Sequence, residues 1–191
     1  MTVPVLPEAT TYKPHGQTLR LLSYNIQVGI AATSVRQALT TLWKHVLPHP
    51  QIYENLNNIA SIVSHFDIVA LQEVDAGSLR SSFINQIEFL ADKGDFPYWS
   101  SQTNREIGIL TKHSNGLLSR FAPFEISDYK LPGKIPGRGA MVVRYGNPDN
   151  PLILVIVHLA LGKRTRMQQL EFVSEIVNCY KHVVVMGDFN C

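Results

Sequence analysis

Val183-Val184-Val185-Met186-Gly187-Asp188-Phe189-Asn190 is the stretch whose reading decides the fold. Three β-branched residues followed by Met186 predict a short buried strand. Gly187 frees the backbone to turn, and Asp188 and Asn190 follow at once. In an extended chain, residues i and i+2 share a side. A carboxylate and an amide would then leave the strand end together, where α/β sheets hold their ligands. The plainer reading is a strand followed by an Asp/Asn turn. The same design occurs twice more. Leu19 to Tyr24 is an apolar strand that ends at Asn25, and Asp67 to Leu71 is one that ends at Gln72 and Glu73. Three strands that each deliver a carboxylate or a carboxamide at the C-terminal end favour the functional reading.

The elements around these strands alternate between helix and strand. Residues 1 to 17, with Pro4, Pro7, Pro14 and Gly16, read as an irregular leader, and residues 18 to 191 as one domain. Val35, Leu39, Leu42, Trp43 and Val46 recur at helical spacing over residues 31 to 48. A packed amphipathic helix is the ordinary reading there; a flap or a membrane-surface contact is the alternative. His45 and His49 fit surface positions near a turn better than metal ligation. A second helix is expected over residues 51 to 65, with Ile52, Leu56, Ile59, Ile62 and Val63 inward. A third is expected over residues 82 to 92, with Phe83, Ile87, Leu90 and Ala91 inward. Ala140 to Tyr145 and Leu152 to Val157, joined by a Gly/Asn/Pro-rich turn, predict an antiparallel hairpin. The last helix opens on Lys163, Arg164 and Arg166 and buries Met167, Leu170, Val173, Ile176 and Val177. Cations at a helix N-terminus oppose its dipole, a weak pointer to an anionic partner.

Composition sets the outer limits. The 191 residues are 45% hydrophobic and 17% charged, enough apolar material for a core and too little charge for a disordered chain. A net charge of +2 neither demands nor excludes nucleic acid. Cys179, expected within the last helix, and the terminal Cys191 lack zinc-site spacing and suit reduced thiols in a cytoplasmic protein. The first residues show no secretory pattern. No apolar run approaches the roughly 20 residues that span a bilayer.

Ser23-Tyr24-Asn25-Ile26, Asp67-Ile68-Val69-Ala70-Leu71-Gln72-Glu73-Val74, Val157-His158-Leu159 and Gly187-Asp188-Phe189-Asn190 resemble, in order, the motifs of the endonuclease/exonuclease/phosphatase superfamily. That group includes pancreatic-type deoxyribonucleases, apurinic endonucleases, bacterial sphingomyelinases and inositol polyphosphate phosphatases. The resemblance runs from about Leu19 to Asn190. It implies a four-layer α/β/β/α sandwich: two mixed β-sheets with helices outside. It also implies an Asp-His pair beyond the Gly-Asp-Phe-Asn segment. The chain ends at Cys191, so the expectation is a chain lacking its closing strands, with an open sheet edge and an incomplete catalytic set.

The resemblance also assigns roles. Glu73, a hard oxygen ligand, would bind Mg²⁺, with Mn²⁺ as the alternative. Asn25 would help position the metal ligands and the phosphate. Asp188 would orient or activate a water, and Asn190 would donate to the phosphate. His158 would bind phosphate or move a proton, and its titration range suits that task; a lone histidine at a strand end is more often structural. Asn115, in His113-Ser114-Asn115-Gly116, would face the cleft and bind phosphate; a turn before a strand is the plainer reading. Arg80 would reach a phosphate, or be solvated or ion-paired. Lys130, Lys134 and Arg138, in a basic Pro/Gly-rich loop, would meet an anionic substrate or simply face solvent. The implied partner is a phosphate ester: a phosphodiester of nucleic acid or a phospholipid head group. The alternatives are a phosphomonoester of an inositol or a sugar, and a non-catalytic module that binds phosphate or a protein. Sequence sets no oligomeric state.

Overall fold

Successive side chains of β2 (Ile68–Asp75) enter two different cores, and this division builds the molecule. The computed structural model describes residues 18–26, 52–75, 85–107, 111–133 and 138–191. The leader, the expected helix at residues 31 to 48 with its histidines, Arg80, Phe83 and Lys134 lie outside them. Ile68 and Ala70 pack between two sheets with Leu117, Met141, Val143, Leu154 and Ile156. Val69 and Leu71 face the other way, against Leu56, Ile59, Val63, Ile87 and Leu90 of two outer helices. Strict alternation over a strand buried on both faces produces this double assignment.

The first sheet has the order β1–β2–β4–β3, with β1 at Leu21–Asn25, β3 at Tyr98–Ile107 and β4 at Thr111–Ser119. The second has the order β5–β6–β7–β8: Glu125–Lys130, Gly139–Tyr145, Leu152–His158 and His182–Asp188. Both sheets are mixed. β1 runs parallel to β2 and β7 parallel to β8, while the remaining pairs are antiparallel. Helices α1 (Ile52–Val63) and α2 (Gln86–Lys93) cover the first sheet. Helix α3 (Lys163–Val177) crosses from β7 to β8 and covers the second. The expected four-layer sandwich of two mixed sheets is therefore present, as is the β6–β7 hairpin. Among the described residues, β1 and β8 are sheet edges, and they meet across the gap between the sheets.

Several details differ from the sequence reading. Met167 is 49% exposed and Ile62 is 47% exposed, so neither is inward. α3 packs Leu170, Val173, Ile176 and Val177 inward as expected, and it also buries the amide of Gln169, which accepts from Ala160 N at 2.8 Å and donates to the Pro132 carbonyl at 2.9 Å. Cys179 lies just past α3 and is exposed, as is Cys191. β3 and β5 were not expected: they are outer strands of polar, mixed composition. α2 begins at Gln86, after Asn85, whose side chain accepts from the Ile87 and Glu88 amides as an N-cap. Arg120 ties this half together. Its guanidinium donates to the carbonyls of Phe66, Asp95, Ser64 and Gly94, just past the ends of α1 and α2. It also lies 4.7 Å from the centre of the Phe96 ring. A cation among helix C-terminal carbonyls complements both dipoles.

Candidate active site

The C-terminal ends of β1, β2, β7 and β8 converge where the two sheets meet. β7 and β8 pair in register so that His158 lies opposite Asp188. The close approach depends on Gly187, whose φ is +142° and where a Cβ would overlap the Val157 carbonyl oxygen. His158 Nε2 is 3.6 Å from Asp188 Oδ2, with the two side chains 11% and 27% exposed. From the other sheet, Asn25 donates through Nδ2 to the same Asp188 Oδ2 at 3.0 Å. One carboxylate oxygen thus joins the sheets.

Asp188 Oδ1 accepts from the backbone of Asn190 at 2.9 Å. Asn190 has a φ of +52°, so the chain leaves the extended conformation here. The Asp/Asn turn of the plainer reading forms here. The i, i+2 alternation does not carry through. The Asn190 amide instead donates to the Leu159 carbonyl at 2.8 Å. Arg166 fastens the same turn, donating to the carbonyls of Asn190 and Leu161 at 2.8 Å each. It is therefore engaged in holding loops, which replaces the reading of a cation left for an anionic partner. Lys163 and Arg164 are exposed.

Glu73 arrives by a register break. Leu71 pairs with Gly116 and Val74 with Ser114, so Gln72 and Glu73 together oppose Asn115 alone. Val74 points toward the outer helices with Val69 and Leu71, which unbroken alternation would forbid. Such bulges re-aim side chains beside functional sites. Glu73 takes a φ of +56°, a conformation that costs a non-glycine residue about 1–3 kcal/mol.

Arg138 joins this group from the stretch before β6. It is half-buried, and burial draws its guanidinium below the usual range. The carboxylates of Glu73 and Asp188 pull the other way, so all three share one electrostatic neighbourhood. An arginine remains a cation at neutral pH. Asn115 is fully buried, and its amide donates inward, to Gln102 Oε1 at 3.1 Å and to the Gly139 carbonyl at 3.2 Å. Two buried atoms near the bulge, Gln72 Nε2 and Asn115 Oδ1, have no hydrogen-bond partner among the described residues. No helix among those residues is long and apolar enough to cross a membrane.

This fold and site define a class. A profile of the Endonuclease/Exonuclease/phosphatase family matches residues 22–191. The chain belongs to that family, whose members are hydrolases of phosphate esters. Solved structures of the same fold include an endonuclease/exonuclease/phosphatase from Beutenbergia cavernae (20% identity, TM-score 0.66, 90% of this chain and 47% of that one). Another is a mannosyl-6-phosphatase from Bacteroides thetaiotaomicron (18%, TM-score 0.56, 91% and 66%). A third is ANGEL2, a 2',3'-cyclic phosphatase (14%, TM-score 0.61, 90% and 52%). The chain spans about half the length of the first of these. No curated protein sequence matches it.

Proposed function

We propose that this chain carries the site of a Mg²⁺-dependent phosphoesterase that acts on a phosphodiester, in nucleic acid or a phospholipid head group. The observation that supports this most is Asp188, held by Asn25 from one sheet and facing His158 on the other. Glu73 and Arg138 complete a neighbourhood of two carboxylates and a cation.

The described residues include no group of three His, Cys, Asp or Glu that could hold a metal ion. Mg²⁺, however, commonly takes only one or two carboxylates and keeps several waters. Glu73 and the carboxamide oxygen of Asn25 are hard donors that fit this habit, with Mn²⁺ as the alternative. A divalent ion held there would offset phosphoryl charge and make a water more acidic.

The chain's own groups divide the remaining work. Asp188, fixed through both oxygens, orients a water for in-line attack. Arg138 binds non-bridging oxygens, a task suited to a guanidinium fork. One Asn190 hydrogen is committed to Leu159, and the other donates to phosphate. His158 gives a proton to the leaving oxygen or binds the phosphate. Arg80 remains a phosphate ligand proposed on sequence alone. Exposed thiols at Cys179 and Cys191 suit a reducing, cytoplasmic setting.

Phosphomonoesters of sugars or inositols are the second reading, since a sugar-phosphate phosphatase shares the fold. Hydrolysis of bis(p-nitrophenyl) phosphate, followed by p-nitrophenyl phosphate, separates the two. EDTA-sensitive turnover of the diester would support the first reading and would mean that the groups named above suffice for catalysis. Turnover of the monoester alone would favour the second reading. Turnover indifferent to EDTA would overturn the metal assignment, and no turnover of either would leave a phosphate-binding module.

A further inference from the structure

No motif singles out Gln102, yet the residue is 6% exposed, in a seam between the sheets. A buried amide is costly unless hydrogen-bonded, so its partners indicate its use. Gln102 Nε2 donates to the Ala140 carbonyl at 3.0 Å and also to the Asp128 carboxylate, and Gln102 Oε1 accepts from Asn115 Nδ2 at 3.1 Å. The other Asn115 hydrogen goes to the Gly139 carbonyl at 3.2 Å. Turning the Asn115 amide over would set its oxygen against two acceptors, so these partners fix its orientation. That accounts for Asn115 Oδ1 as the atom left without a donor.

The two amides stand on β3 and β4 of the first sheet, and the carbonyls they hold open β6 of the second. Those carbonyls belong to the two residues immediately after Arg138. The Arg138 carbonyl accepts from Leu131 N at 3.1 Å. Arg138 is thus anchored at its own peptide and at the next two. Asn115 is also the residue opposed by Gln72 and Glu73 at the bulge. The stitch therefore ties the backbone beside Arg138 to the strand that presents Glu73.

We propose that Gln102 is a positioning residue: with Asn115 it locks the Gly139–Ala140 backbone to the first sheet and so aims the Arg138 guanidinium into the site. Only the purpose of that aim rests on the phosphoesterase reading; the aim itself is measurable without substrate.

The test is an arginine Nε–Hε correlation spectrum of the full chain, with Arg138 identified by its loss in Arg138→Lys. Arg120, whose Nε donates to the Phe66 carbonyl at 3.1 Å, is the internal control for folding. Arg138 is expected to be ordered in the parent protein. In Gln102→Met it should become as mobile as the exposed Arg164, with Arg120 unchanged. Equal order at Arg138 in both proteins, or mobility already in the parent, overturns the proposal. If Gln102→Met also frees Arg120, Gln102→Glu is the second variant, read together with Asp128→Asn, since it keeps the acceptor for Asn115, removes the amide donor to Ala140 and Asp128, and without Asp128→Asn would set two carboxylates together. An unmoved Arg138 there overturns the proposal as well. Inorganic phosphate then separates the two readings. It should shift the Arg138 signal, with a Kd about tenfold weaker in Gln102→Met, the equivalent of one modest interaction. An ordered Arg138 indifferent to phosphate removes the phosphate reading and leaves the positioning role standing.

Discussion

At the scale of single residues, geometry constrains which groups can act. His158 faces a carboxylate already tied to Asn25 and to the Asn190 backbone, so any proton it moves leaves a fixed frame. His158→Ala should lower turnover about 100-fold or more if it transfers a proton. A change of only a few-fold would return it to a structural role. Gly187→Ala should prevent the β7–β8 register from forming, because the added carbon would overlap the Val157 carbonyl. Native-like circular dichroism and melting in that variant would contradict the register described. The identities of Asn25, Glu73, His158, Asp188 and Asn190 were legible as polar residues ending apolar strands. Their hydrogen-bond directions were not. Whether the Asn115 and Asn190 amides face the cleft or the protein depends on Gln102 and Leu159, far away in sequence. Only the fold brings those partners together.

At the scale of elements, two arginines hold loops and helix ends. Arg120 supplies donors to four carbonyls beyond α1 and α2. Arg120→Met should lower unfolding free energy by about 1–3 kcal/mol, since four carbonyls, three of them in part-buried bonds, lose a charged donor. A loss below about 0.5 kcal/mol by urea titration would show that water replaces them without cost. Asp67 links β1 to β2, accepting from Arg20 N at 2.8 Å and from its guanidinium at 3.4 Å. Burial alone would raise its carboxyl, but the Arg20 hydrogen bonds and charge outweigh it and hold the group below its usual 3.8. The folded form therefore prefers the carboxylate. That stability is present above pH 3.8 and is lost as pH falls through and below it. Asp67→Asn should be less stable at neutral pH and lose less on acidification; parallel pH curves for the two proteins would refute the linkage. Among elements, the apolar strands and α1 were legible from their periodicity. β3 and β5 were not, because Tyr-Trp-Ser-Ser-Gln-Thr and Glu-Ile-Ser-Asp-Tyr-Lys carry the mixed polarity suited to sheet edges. α3 was placed by its pattern, and Leu170, Val173, Ile176 and Val177 pack inward as expected, while Met167 does not. Gln169 is bonded on both sides and so occupies an interior position that periodicity reserves for apolar residues.

At the scale of the whole molecule, the candidate site is assembled where two sheets share a seam. Asn25 and Glu73 come from the first, and Arg138, His158 and Asp188 from the second. The layered architecture was legible once apolar strands and amphipathic helices were seen to alternate. The seam was not, since no local pattern shows which strand of one sheet lies over which strand of the other. The central claim is that groups from both sheets serve one cation-dependent site. The most direct measurement is a Mg²⁺ titration of the full chain by calorimetry, in parallel with Glu73→Gln, which removes a proposed ligand, and Asp188→Asn, which removes the carboxylate that holds the other ligand, Asn25. Saturable binding in the parent chain that weakens at least tenfold in both variants, one on each sheet, is the predicted result. Binding that is absent from the parent, or unchanged by either substitution, would contradict the account.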